Sequence, residues 1–413
     1  MLSLPCKSCD INAGDLVDGV RQIIATAYGD FAARAHVADA TALRRARERA
    51  VKRTAATEAD AEAAEEPLML YAAMLTRAET ALGNEAREQK CLELSWLSAW
   101  EDEKTAKPVK LHDLVVEQAG VLHNLAAGWS VRGALPGLTD GDAIKAAAKH
   151  FQLAAGALLA AQQLQPGAKL DDACPSDLSD AALGAVQKLM LAQAQACFCE
   201  KAEKDGLGAG TQAKLCNGAR DMYLQAAEAM GSLKTKNKEL HAWGAATAEG
   251  RAKQFEARAH FQAAAEAEAG GKHGAQVAHL ALAMSVAQAA QAKFASVKDV
   301  AEGPKAALTA LLARATESAP ARPHAPLKPP WRASVLALSS RDSARHKLIT
   351  ISSRVARSLP NGEERQRVSV LRKGTNGGDA AEHRRQGARE ADAHPADDRA
   401  SGRLAHPAER APC

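Results

Sequence analysis

From residue 111 to residue 312 one pattern recurs: small and medium apolar side chains at helical spacing, broken only where glycine or proline intervenes. The spacing predicts helices over 111–129, 142–164, 179–204, 211–230, 238–270, 274–294 and 304–316. Pro136/Gly137, Pro166/Gly167, the glycine-rich stretch 206–210 and Gly270/Gly271 separate them. Corners this short fold successive helices back on one another as antiparallel hairpins. The apolar share is 46% but the aromatic share only 3%, and alanine supplies much of the rest. Alanine is the best helix former, and its small side chain lets helices approach closely. The chain is therefore expected to be all-α, an antiparallel helical solenoid. Residues 260–291 look like a tetratricopeptide unit, with small residues at contact positions and then a glycine turn. No strict repeat of about 34 residues recurs, so the solenoid is read as irregular.

The flanks are less uniform. Residues 15–28 read as an amphipathic helix. Residues 37–66 carry arginine early and glutamate late with few large apolar side chains, which reads as a solvated helix or a mobile connection. A helix follows over 67–82, with Pro67 at its first turn. Near 91–97 a short-strand element is expected, since Leu92, Leu94 and Trp96 alternate with polar residues as in a half-buried strand. Residues 101–110 read as a loop. Residues 319–331 contain five prolines and read as a linker. Residues 332–413 are rich in Arg, Ala, Ser, Asp and Gly, too polar to offset their ordering entropy, and are expected to be disordered.

Little in the chain points to chemistry. A net charge of +4 is too small to argue for a nucleic-acid partner. Cys6 and Cys9 form a lone C-x-x-C with no second pair at ligand spacing, so no metal site is expected. No secretory start and no apolar run of about 20 residues is present, which places the chain in the cytoplasm with free thiols. Gly206, Gly208 and Gly210 precede a helix, as in phosphate-binding loops, but neither the Walker spacing nor a preceding strand is there. A helix C-cap and tight corner account for them. Glu239/His241 and Glu256/His260 miss the Glu-x-x-His spacing of di-iron bundles. His123, His150 and His279 stand singly within helices, as packed or half-exposed side chains. No enzyme activity and no cofactor is expected.

The hairpin 179–230 carries the better candidate. On its first helix Leu183, Val186, Met190, Ala194 and Cys197 form a stripe that should face the core. Leu191, Ala194 and Phe198 form a second, turned by about 100°. On the following helix Thr211, Leu215 and Gly218 share a face, so Phe198 and Leu215 can meet across the hairpin. The pattern allows two readings: Phe198 is ordinary core, or it belongs to an apolar groove that accepts a partner's amphipathic helix.

The wording of several segments resembles the ALIX-type BRO domain family over roughly residues 1–318. KLMLAQAQACFCEK, starting at Lys188, is the most specific phrase, continued by Ala213-Lys-Leu215. VEQAGVLHNLAA, starting at Val116, resembles the family's V-L-F-N-I-A-A phrase, with His123 in place of the aromatic. DAIKAAAKHFQLAAG, from Asp142, and the strand ending at Trp100 also match. The resemblance implies a curved, banana-shaped domain with a small sheet near one end. It further implies an adaptor of ESCRT-dependent endosomal sorting whose concave face takes the C-terminal helix of an ESCRT-III subunit. Carried over by position, Phe198, Thr211 and Leu215 would line that groove. Lys145 would offer a positive charge, with Lys201 and Asp142 at the rim. Recruitment from the cytoplasm to endosomes, with peripheral contact to their membrane, would follow. The alternative is a generic tetratricopeptide-like scaffold of another pathway.

The departures from the family pattern are specific. Thr211 stands where a larger aliphatic residue is usual, and 273–280 replaces a more acidic phrase. A tyrosine-bearing segment expected near residue 318 and the coiled-coil domain of longer relatives are absent from the sequence. Cys413 is the last residue and so cannot begin a prenylation box.

Overall fold

The computed structural model describes residues 3–8, 16–51, 57–100, 109–134, 140–164, 176–233, 238–297 and 302–319. The expected linker beyond Ala319, the expected tail and Cys9 lie outside these residues. The helices are α1 (Leu16–Tyr28), α2 (Asp30–Ala35), α3 (Val37–Val51) and α4 (Glu58–Gln89), then α5 (Leu114–Ala134) and α6 (Gly141–Leu164). They continue as α7 (Asp180–Lys204), α8 (Ala209–Gly231), α9 (Lys238–Ala269), α10 (His273–Ala295) and α11 (Glu302–Glu317). From α4 onward each helix packs against the next in chain order, which makes the architecture a helical solenoid. None of the helices among the described residues is long and apolar enough to cross a membrane.

The N-terminal third departs from the sequence reading in four places. Helix α4 begins at Glu58, not at Pro67, because Thr57 and Asp60 form a capping box that starts the helix nine residues earlier. Pro67 is thus inside a helix. Helix α3 is not merely solvated: Ala40, Leu43, Ala46, Arg47 and Ala50 are buried. Small side chains suffice for burial where helices approach closely. The segment 101–110 is not all loop, since Val109 and Lys110 belong to a strand β2 (Val109–Leu111), and α5 accordingly begins at Leu114 and not at residue 111. Strand β2 pairs antiparallel with β1 (Leu94–Trp96), Leu94 facing Leu111 and Trp96 facing Val109. Strand β1 is buried on both faces, Ser95 included, so its alternation did not report a solvent side.

One carboxylate gathers this region. Glu117 on α5 is fully buried and accepts hydrogen bonds from Arg47 Nε (2.8 Å), Tyr71 Oη (2.9 Å) and Trp96 Nε1 (2.5 Å). It therefore joins α3, α4 and β1 to α5. Trp96 lies against Gly120, where a Cβ would come within 2.9 Å of the indole. A second polar knot holds the N-terminal segment. The buried Lys7 ammonium pairs with Asp177 at 2.5 Å, and Asp177 also accepts from the Ala99 N–H. Lys7 N–H donates to Asn124 Oδ1, and Asn124 Nδ2 donates back to the Lys7 carbonyl. Buried charges survive only when paired and hydrogen-bonded in this way.

Candidate functional site

The site rises from the α7–α8 hairpin and the start of α6. Helix α7 is capped by Ser179, whose hydroxyl accepts from the Ala182 N–H. The core stripe Leu183, Val186, Met190, Ala194 and Cys197 is buried throughout. Ala194 therefore does not also serve an outward stripe. Leu191 and Phe198 do face outward, at 36% and 43% exposure, and seven residues bring them to one side of the helix. Gln195 lies between them and donates from Nε2 to the Leu215 carbonyl at 3.4 Å. That contact fixes the antiparallel register. Continued one turn along α7, that register puts Phe198 level with the first turn of α8, which carries Thr211. Thr211 is exposed, while Leu215 is half-buried and packs on the main core.

The corner between the helices is built on glycine for a geometric reason. Gly206 has φ +65°, its N–H donates to the Glu203 carbonyl, and the Leu207 N–H reaches back to Ala202 at 3.0 Å. This is a Schellman closure, with the left-handed residue just past the helix end. It leaves Leu207 44% exposed at the tip of the hairpin. The sequence reading treated the stretch as a corner and missed Leu207. The available signal was a large apolar residue between glycines, where no helix face could bury it.

The charged candidates cluster beside this face. Lys145 and Asp142, both exposed, pair with each other at 3.0 Å, a contact worth little by itself. Lys201 pairs with Asp205 one turn on, and not with Asp142. Its stem lies against Gly141, where a Cβ would come 3.3 Å from Lys201 Cε. The N-terminus of α6 is thereby held to the end of α7 that carries Phe198. Of the six candidates, Phe198, Thr211, Asp142 and Lys145 are exposed, Leu215 is half-buried against the core, and Lys201 links the start of α6 to the end of α7.

Beneath the face three thiols lie buried, and the hydrogen bond from Cys199 holds Cys216 below the usual thiol range. Burial pushes the Cys197 thiol up to about 12. Cys199 is raised by its hydrogen bond to Cys216 and by burial. Cys197 and Cys199 are thereby held as thiols and not thiolates. No cluster of three or more His, Cys, Asp or Glu side chains placed to hold a metal occurs among the described residues. His279, read as solitary, is instead paired with His260 on the facing helix.

Fold and exposure define the class, a helical hairpin solenoid with one small two-stranded sheet and exposed apolar side chains on the α7–α8 hairpin. The BRO1-like domain model matches residues 1–318, and the chain belongs to that family. Among curated relatives, the pH-response regulator protein palA/RIM20 of Pyricularia oryzae is 34% identical over 187 residues, which cover 44% of this chain and 21% of that protein. Programmed cell death 6-interacting protein of Homo sapiens is 33% identical over 141 residues, covering 33% of this chain and 16% of that protein. The matches thus span about a fifth of those relatives' length. A solved ALIX BRO1–CHMP4C complex superposes with TM-score 0.63 at 25% identity, covering 77% of this chain and 87% of that one. A structure of ALIX with a SIVmac239 late-domain peptide gives TM-score 0.64 at 24% identity, covering 77% and 44%.

Proposed function

We propose that this domain is an adaptor that accepts the C-terminal amphipathic helix of an ESCRT-III subunit along its α7–α8 face. The observation that carries this reading is Phe198, an aromatic side chain left 43% exposed on the same side of α7 as Leu191. Covering what is still exposed of Phe198 and Leu191 would contribute roughly 0.5–1.3 kcal/mol each. The solved ALIX BRO1–CHMP4C complex supports the choice of partner, because its fold covers most of this chain. Thr211 offers less apolar surface than a larger aliphatic residue would, so the groove is shallow and the contact moderate. Lys145 and Asp142 act on rate and orientation more than on affinity. On this reading the protein has no chemistry of its own. It works in the cytoplasm, reaches endosomes in ESCRT-dependent sorting, and touches their membrane peripherally.

Titration of a labelled ESCRT-III C-terminal helix against the full chain tests this. Phe198→Asp is expected to weaken binding at least tenfold with an unchanged thermal midpoint. Equal affinity for the wild type and the variant would refute the groove. Equal affinity of the wild type for unrelated amphipathic helices would favour a generic scaffold. The fungal relatives' name, pH-response regulator, favours a second reading in which the same face serves pH signalling. Complementation with the Phe198→Asp variant, scored for cargo sorting and for growth across pH, separates the two.

A further inference from the structure

A cavity among the first four helices takes no part in the α7–α8 face. It holds about 740 Å³ between α1, α2 and α3 on one side and α4 on the other, inside the roughly 300–1,000 Å³ of built binding pockets. Val20, Ile24, Leu43 and Leu82 bring buried apolar side chains to its lining. Tyr28 ties its two sides together, the hydroxyl donating to the Ala81 carbonyl at 3.1 Å. His36 and Asp39, also in the lining, pair with each other at 2.7 Å. Arg77, the remaining charged residue of the lining, is exposed and has no hydrogen-bond or ion-pair partner among the described residues. Beside the cavity, on α2, Phe31 is 83% exposed, more than any other large apolar side chain among the described residues. Its neighbour Ala32 lines the cavity, so Phe31 stands about 100° round the helix, outside the cavity of its own chain. Asp30, next to it, is exposed and unpaired among the described residues.

We propose that this cavity takes Phe31 of a second copy of the same chain, in a two-fold dimer that also sets each Asp30 against the other copy's Arg77. Complementarity carries the argument. One lone exposed apolar side chain needs no explanation. Here each chain holds both halves of a contact: an uncovered aromatic with a free carboxylate beside it, and an apolar cavity with a free guanidinium in its lining. Asp30 and Phe31 are adjacent in sequence, so the charge and the ring arrive together. In an isologous contact the same patch serves both copies, and every complementary pair is made twice. The ring and the cavity lie on neighbouring sides of one short helix, so a two-fold axis passing beside α2 makes both exchanges at once. An aromatic side chain filling a pocket near the centre of an interface is the usual form of a binding hot spot. The charge pair at its edge fixes register and disfavours wrong partners. The dimer does not depend on what the α7–α8 face binds.

Sedimentation equilibrium of the full chain over a wide concentration range tests this. The wild type is expected to show a reversible monomer–dimer equilibrium. Phe31→Ser is expected to weaken association at least about tenfold. Asp30→Arg and Arg77→Asp each set like charges against one another in the contact, so each alone is expected to weaken association as well. An equimolar mixture of these last two chains is expected to regain it as a heterodimer, because opposite charges then meet at both contacts. Such a recovery cannot come from a contact inside one chain. All three positions are exposed, and thermal midpoints of the separate variants show that each one folds. Three results would each overturn the dimer: a wild type that stays monomeric throughout, a Phe31→Ser chain that associates as tightly as the wild type, or a mixture no tighter than its components.

Discussion

His123 is enclosed on every side within α5. Burial holds its imidazole down to about 4, with the nearby Lys7 ammonium adding to the effect and Asp177 opposing it. The sign follows from proton uptake. Between about pH 4 and pH 6.5 the unfolded chain binds a proton at this site and the folded one does not. Stability is therefore full above the unfolded value and falls as the pH drops towards 4, by about 3 kcal/mol from this group. His123→Phe is expected to flatten that slope, measured as urea midpoints across pH 4 to 7. An unchanged slope would assign the acid sensitivity to other groups. The sequence marked His123 as an ordinary packed histidine but could not show what surrounds it. It left Phe198 undecided for a related reason, because helical spacing sorts residues onto faces without saying which faces a neighbour covers.

At the level of elements, the helices after residue 140 were legible almost to the residue, because Ser179, Gly206 and Gly271 punctuate them by local chemistry. The elements before it were not. Their stability comes from contacts distant in sequence, and the hub at Glu117 is the clearest case. Nothing in VEQAG announces a carboxylate that must meet an arginine, a tyrosine and a tryptophan from three other elements. Strand β2 was missed likewise, since three residues carry no periodicity of their own and only β1 pairs with them. Glu117→Gln is expected to destabilise the domain by about 3–5 kcal/mol, as for the breaking of other buried ion pairs. Gly120→Ala sets two effects against each other. Alanine gains about 1 kcal/mol as a helix former, but its methyl would press on an indole already tethered to Glu117. Overpacking of this kind costs about 1–3 kcal/mol, so a net loss of stability is expected in denaturant titration.

Across the whole molecule, neighbour-to-neighbour packing from α4 to α11 means that each hairpin leans mainly on the next. We propose residues 1–318 as the folded binding unit. A chain ending at Ala319 is therefore expected to keep the thermal midpoint and the peptide affinity of the full chain. A fall in either would show that the remaining residues take part. Among the described residues the buried ion pair widest apart in sequence is Lys7–Asp177, separated by 170 residues and wholly enclosed. During synthesis, at roughly 5–20 residues per second, the ammonium leaves the ribosome about 9–34 seconds before its counter-charge. Until Asp177 has been made, Lys7 has no counter-charge with which to be enclosed, so the docking of the N-terminal segment waits for a residue 170 positions further along.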